Sequence, residues 1–262
     1  MGKIIAGGQS LVPTMNFRLA RPETLIDING IGEIQGVTET EDTLVIGAVT
    51  RHAVFESPVC AGPTGRLLTR VVQNVAHYPI RRRGTFGGSL AHADPASEWC
   101  LVASTFGAEM EILGPEGTRR VAAADYFKGT FTTAVAEDEI LLRVHLPKLA
   151  EGWGTGFLEF SRRKGDFALA MAVAALRLEN GTVREARLGA GSLAPTPLRL
   201  VELEARLQGA PATREALSEV AAGAAELVNP PSDIHGSSEY RRDLAVTVVR
   251  RALFEALDDA AP

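Results

Sequence analysis

Residue type and spacing point to chemistry at two places, Ala6-Gly7-Gly8-Gln9-Ser10 and Thr85-Phe86-Gly87-Gly88-Ser89. Paired glycines allow positive φ and let a ligand approach the backbone with no Cβ in the way. A helix start following such a turn offers unpaired N–H groups and a positive dipole end. The ligand this suits is phosphate, with backbone amides as donors and the flanking hydroxyls in support. Two such cradles fit the two phosphates of a dinucleotide. Neither stretch is G-x-G-x-x-G or G-x-x-x-x-G-K-[ST], so a Rossmann fingerprint and a Walker loop are both absent. A tight turn alone accounts for the first pair more readily than phosphate does, and the second pair is evenly balanced.

Other candidates carry less. His92 and Asp94 lie near Ser89, but no G-x-S-x-G elbow surrounds that serine, so nucleophilic catalysis is not supported. Asp94-Pro95 reads instead as a turn and a cap for the helix after it. Cys60 and Cys100 are the only cysteines, with no C-x-x-C, which excludes an iron–sulfur cluster or a zinc site held by four cysteines of this chain. Both read as small buried apolar groups, and Trp99 and Trp153 read as packing residues. The five histidines are scattered, and no metal site is expected.

The net charge of −5 argues against nucleic acid, which is met by clustered positive charge. Arg81-Arg82-Arg83 is a short basic run that reads as solvated, with a phosphate or subunit contact as the alternative. Arg162-Arg163-Lys164-Gly165-Asp166 by itself also reads as a solvated loop, and a loop that borders a bound ligand and gates access to it stays open. No apolar run approaches the roughly 20 residues that span a bilayer, and MGKIIAGGQS lacks a signal-peptide pattern, so a cytoplasmic protein is expected.

The elements that must position the glycine pairs follow from periodicity. Lys3–Ala6, Leu25–Ile28, Thr43–Val49, Ala108–Leu113 and Glu139–Leu146 read as strands. Gln9–Leu19 carries Leu11, Met15 and Leu19 on one helical stripe. Arg51–Glu56, Thr64–Ala76 and Ala96–Thr105 also read as helical. Pro147–Thr155 breaks both periods and divides the chain into residues 1–150 and 151–262. Beyond it come strands Gly156–Arg162, Ala170–Leu178 and Val183–Gly189, the last two joined by the hairpin signal Asn180-Gly181. Helices follow near Leu198–Leu207, Thr213–Leu227 and Ser238–Leu257. The last, opening on Tyr240-Arg241-Arg242-Asp243, is expected to pack on its own domain. Strands followed by helices indicate an α+β arrangement.

AGGQSLVPTMNFRLARPETLIDI followed by RGTFGGSLAHADPASE resembles the flavoprotein (medium) subunit of the molybdenum hydroxylases. SRRKGDFALA, GAGSLAPTPLR and SSEYRRDLA extend the resemblance through nearly the whole chain. It is similar to the medium subunit of aerobic carbon monoxide dehydrogenase and the flavin domain of xanthine dehydrogenase. The resemblance implies a vanillyl-alcohol-oxidase-type (PCMH-type) FAD-binding domain followed by a smaller α+β domain like the carbon monoxide dehydrogenase flavoprotein C-terminal domain. It implies noncovalent FAD, with Ala6, Gly7, Gly8, Gln9 and Ser10 and with Thr85, Phe86, Gly87, Gly88 and Ser89 around its pyrophosphate and ribityl chain. Amides of both loops are expected to hold the pyrophosphate. Glu98 matches a polar cofactor contact, Leu141 an apolar one, and Phe167 a position near the flavin.

The implied work is electron transfer, with no catalytic residue in this chain. A large subunit with the molybdenum cofactor would hydroxylate substrate, and a small subunit with [2Fe-2S] clusters would pass electrons to FAD. The expected assembly is a heterohexamer, a dimer of heterotrimers. Carbon monoxide, purines, aldehydes and N-heteroaromatics all stay open as substrates. Three departures stand out: a start near the first glycine loop, where relatives carry about two dozen residues more, on the scale of a βα unit; Arg82 in place of asparagine; and Glu159 near a position where carbon monoxide-type relatives have lysine. Two rival readings remain, a stand-alone flavin oxidase or reductase and a flavin-free scaffold.

Overall fold

The computed structural model describes residues 2–260. Gly2–Ile5 lies parallel to Thr24–Asp27, with Ile4 opposite Ile26. A parallel pair needs a crossover, and the helix Leu11–Asn16 supplies it. That helix is shorter than its apolar stripe predicts. It buries no residue, and Arg18 turns to φ 60° just beyond it, leaving Leu19 outside and exposed. A stripe with nothing packed beneath it does not lengthen a helix.

A five-stranded antiparallel sheet follows, in the order Val37–Glu39, Thr43–Gly47, Ile140–Pro147, Glu109–Gly114, Gly117–Ala122. The central strand comes last in sequence, so the sheet closes only when residues 143–147 return to pair with residues 43–47. The helices Gly62–Val72, Phe86–His92 and Glu98–Thr105 contribute to the core under it, which gathers Leu67, Leu68, Val71, Phe86, Leu90, Trp99, Met110 and Val144. The helical signal over Arg51–Glu56 is realised as a 3-10 turn, His52–Glu56.

After a link over 148–152, the strands Trp153–Phe160, Ala170–Glu179, Thr182–Gly191 and Leu198–Arg199 form a second antiparallel sheet in chain order. Asn180 and Gly181, at φ 52° and 75°, make its predicted tight hairpin. Successive side chains of a strand face opposite sides, and Ala170–Glu179 obeys that strictly. Met171, Val173 and Ala175 join the first core, while Ala170, Ala172, Ala174 and Leu176 enter a second one. The chain thus changes topology near residue 150, yet its first core runs on into the second sheet.

The helix Ser238–Ala260 covers the far face of that sheet, as its apolar pattern leads one to expect. Two of the predicted helices are altered by their neighbours. Leu198–Arg199 is drawn off as an edge strand before the helix Val201–Leu207, and the helix expected over Thr213–Leu227 is interrupted at Gly223. Among the described residues, no helix is long and apolar enough to cross a membrane.

The long helix sits unusually close to its sheet. A Cβ at Gly154 would overlap Ala256 O, and one at Gly156 would overlap Ala252 O and reach Ala256 N at 2.8 Å. Small residues on both sides, Gly154 and Gly156 against Ala252, Ala256 and Ala260, make this approach possible. Gly156→Val should therefore lower unfolding stability by about 1–3 kcal/mol, the usual cost of overpacking. Urea denaturation followed by circular dichroism measures it, and an unchanged midpoint would contradict the packing described.

Candidate functional site

The first glycine pair is left with backbone donors to spare. The N–H groups of Gly7, Gly8, Gln9, Ser10 and Leu11 make no hydrogen bond among the described residues. Gly8 has φ 70°, a conformation that glycine adopts without strain and that helps turn this run of amides. Gln9 Nε2 donates back to Gly7 O at 2.9 Å, closing the turn on itself. Successive amides in such a turn form an anion-binding concavity. The loop is braced from outside as well. Asn29 Nδ2 donates to Ala6 O at 2.7 Å, and Arg51 reaches both Asn29 Oδ1 (2.7 Å) and Arg83 O.

The second pair is built differently from the sequence expectation. Gly87 and Gly88 stand in the first turn of the helix Phe86–His92, which Thr85 caps. Phe86 N donates to Thr50 O (2.8 Å), Gly87 N to Ala48 O (3.0 Å), Gly88 N to Thr85 Oγ1 (3.0 Å) and Ser89 N to Thr85 O (3.1 Å). All four amides are consumed within the protein. The expectation that both loops offer amides is therefore corrected: the first does, the second does not. What the second presents is a bare glycine surface and the Ser89 hydroxyl, which has no partner among the described residues.

The two stretches face one cleft of about 430 Å³. Ala6, Gly7, Gly8, Gln9, Ser10, Thr85, Gly87, Gly88, Ser89 and Leu141 all line it. Phe86 does not. Its ring is fully buried against Phe55 and Trp99, with centroids 5.5 and 5.0 Å away, so it anchors the helix from below. Glu98 and Phe167 are also absent from the lining. Glu98 opens the helix Glu98–Thr105, whose cap is Ser97 rather than Asp94; Asp94 makes the preceding turn by accepting from Ala96 N at 2.8 Å. Phe167 is 78% exposed on the loop after Phe160.

Among the lining residues that sequence reasoning does not assign to the site are Lys3, Ala48, His52, Gly84, His92, Val135, Glu139 and Ile140. His92 reads in the sequence only as a partner for Ser89, and Gly84 only as part of the second glycine motif; the rest carry no motif and reach the cleft from several elements. Their charges are quiet. Burial lowers the His92 pKa against the pull of Asp94, and its ring stacks on Phe131 at 4.8 Å. Glu139 is held at about 2 by its hydrogen bond from Arg119, then by the amide of Ala136. Cys60 and Cys100 are buried as expected, and burial pushes the Cys100 thiol up to about 12.

Known proteins share this arrangement. Residues 2–149 match the family model described as "FAD binding domain in molybdopterin dehydrogenase", and residues 156–256 match "CO dehydrogenase flavoprotein C-terminal domain". The chain belongs to this family of FAD-binding flavoproteins. It is 37% identical to the 6-hydroxypseudooxynicotine dehydrogenase complex subunit alpha of Paenarthrobacter nicotinovorans, over 99% of this chain and 88% of that one. It is 35% identical to the carbon monoxide dehydrogenase medium chain of Hydrogenophaga pseudoflava, over 96% and 88%. A solved carbon monoxide dehydrogenase from that organism superposes with TM-score 0.94 at 36% identity, covering 99% of this chain and 91% of the other. Quinoline 2-oxidoreductase from Pseudomonas putida 86 gives 0.92 at 36% identity, covering 99% and 90%. As a member, the chain is an FAD-binding medium subunit of the molybdenum-hydroxylase type, an oxidoreductase component with the two-part α+β fold its sequence implied.

Within this flavoprotein, Glu98 and Glu159 bring two carboxyls together. Burial raises both pKa values, Glu98 to about 7 and Glu159 to about 9. The Glu98 charge pushes Glu159 up further, while Glu98 is raised by Asp94 and lowered by its hydrogen bond with Glu159. Glu159 Oε2 is buried with no hydrogen-bond partner among the described residues. A carboxyl whose pKa is raised on folding stabilises the protein at low pH, and that stability is lost as pH climbs through the folded value. The melting temperature should accordingly fall from pH 7 to pH 9, above the range in which the depressed His52 and His92 act in the opposite sense. Glu159→Gln should flatten the decline and melt about 2–4 °C higher at pH 9, the shift that ~1 kcal/mol makes in a chain of this size. Calorimetry across that range reads it, and equal slopes for both proteins would refute the pairing.

Proposed function

We propose that this chain holds noncovalent FAD in the cleft between its two glycine stretches and serves as the electron-transfer subunit of a molybdenum hydroxylase complex. The observation that carries the reading is the run of unpaired amides over residues 7–11, facing a glycine wall. Such amides balance a diphosphate's charge without a cluster of cations, which suits a lining whose only Lys or Arg among the described residues is Lys3. The free hydroxyls of Ser10 and Ser89 add donors. A Cβ at Gly7 would overlap Arg83 O and come within 2.7 Å of Gly84 Cα, so the spacing of the walls depends on glycine there.

Under this reading Ala6, Gly7, Gly8, Gln9 and Ser10 surround the pyrophosphate, while Thr85, Gly87, Gly88 and Ser89 form the opposite wall. Leu141 supplies an apolar contact. Phe86 acts from beneath, and Glu98 and Phe167 would take part where the cofactor extends beyond the cleft. When bound, FAD supplies a two-electron store between iron–sulfur clusters and an acceptor such as NAD⁺, a quinone or oxygen. No lining residue is poised as a general acid or base: both histidines are depressed by burial and Glu139 is tied to Arg119. Substrate chemistry then belongs to a large molybdenum-cofactor subunit, with a small [2Fe-2S] subunit between them, in a dimer of heterotrimers. Residues 1–150 form the flavin domain and 151–262 the second domain.

The test is cofactor content and partner dependence. The full chain, alone and co-expressed with the two partner subunits, should release about one FAD per chain on denaturation and show substrate turnover only in the complex. Gly7→Ala should weaken FAD binding about tenfold or more, ~1.4 kcal/mol, measured by titration of flavin fluorescence. A complex that purifies without flavin contradicts the reading, and turnover by the lone chain favours a stand-alone oxidase or reductase.

A further inference from the structure

His52 is a buried side chain, 4% exposed, that nothing in the sequence marked. It opens the turn His52–Glu56, and its own amide donates to Gly84 O at 3.1 Å. Trp99 Nε1 donates to His52 Nδ1 at 3.0 Å. An indole nitrogen can only donate, so Nδ1 must be the acceptor, and the proton of the neutral ring sits on Nε2. The ring stays neutral because burial, then Arg51 and Arg81, lower its pKa to about 4. Nε2 makes no hydrogen bond among the described residues, is not among the fully buried unpartnered atoms, and belongs to a residue that lines the cleft.

Nε2 lies against Gly84, where an added Cβ would stand only 2.6 Å away, and Gly84 in turn packs against Gly7. Trp99, His52, Gly84 and Gly7 form one column of contacts from the core to the amide-bearing loop. We propose that His52 is a neutral, tautomer-locked donor that hydrogen-bonds a diphosphate oxygen of the cofactor through Nε2–H. The proposal rests on the FAD reading above and adds a side-chain donor to the backbone ones. A donor kept in a mostly buried place without a partner is costly; an oxygen of the ligand satisfies it. Being uncharged, it adds no cation that would have to be desolvated there.

The experiment titrates the full chain, in its complex where it is isolated as one, with FAD and separately with ADP, which carries the diphosphate without the flavin. His52→Phe should weaken both ligands about tenfold or more, as loss of a hydrogen bond to a charged group does. His52→Gln, whose amide N–H reaches near the Nε2 position, should recover most of that loss. If H52F does not fold, His52→Asn, which is too short to reach, replaces it in the comparison with H52Q. Melting temperatures measured without ligand separate binding from stability. ADP affinity unchanged in H52F or H52N, or equal losses in H52Q, would overturn the proposal. Wild-type protein that binds neither ligand would instead contradict the flavin reading itself.

Discussion

The unpaired amides of residues 7–11 are the constraint on which the rest of the site depends. These residues are half-buried or exposed, so their N–H groups stay open to water or to a ligand. The turn at Gly8 and the brace from Asn29 and Arg51 hold the loop in the shape that presents them. The facing helix has the opposite character, with its amides satisfied by Ala48, Thr50 and Thr85. One wall of the cleft can accept a ligand's charge, and the other fixes its width.

The larger architecture serves that width. Residue 141 reaches the cleft from the central strand of the five-stranded sheet, and residue 48 from the end of its neighbour. Phe86 and Trp99 seat the glycine helix on the core, and Cys100 Sγ contacts Ser89 O at 3.4 Å from the next helix. The second sheet adds its own side chains to that core, and Thr155 carries Asp259 at 3.0 Å, which also pairs with Arg66 from the first half. The two halves of the chain are thus tied at their far side as well as through the shared core.

Much of this was legible in the residues. The Asn180-Gly181 hairpin, the strands on either side of it and the long final helix follow from turn chemistry and period. Edge strands were not legible: Val37–Glu39 and Gly117–Ala122 carry Thr, Glu and Arg, and they exist because a neighbour offers a ladder. At the site, the glycines announced themselves but their roles did not. The same Gly-Gly-polar grammar yields an open turn at 7–8 and a capped helix at 87–88, separated by the acceptors that Ala48, Thr50 and Thr85 offer to the second stretch. His52 carries no signal at all, and Gly84 only its place in the second glycine motif, since their meaning comes from contacts with Trp99 and Gly7. Glu98 and Phe167 rested on family resemblance, and both stand outside the cleft's lining.

Hydrogen–deuterium exchange at single-amide resolution, with and without FAD, tests the division between the two walls most directly. Residues 7–11 should exchange quickly in the free protein and slow markedly with FAD. Residues 86–89 should already be slow and change little. Fast exchange at 86–89 that FAD suppresses, or amides at 7–11 that FAD leaves untouched, would contradict the account.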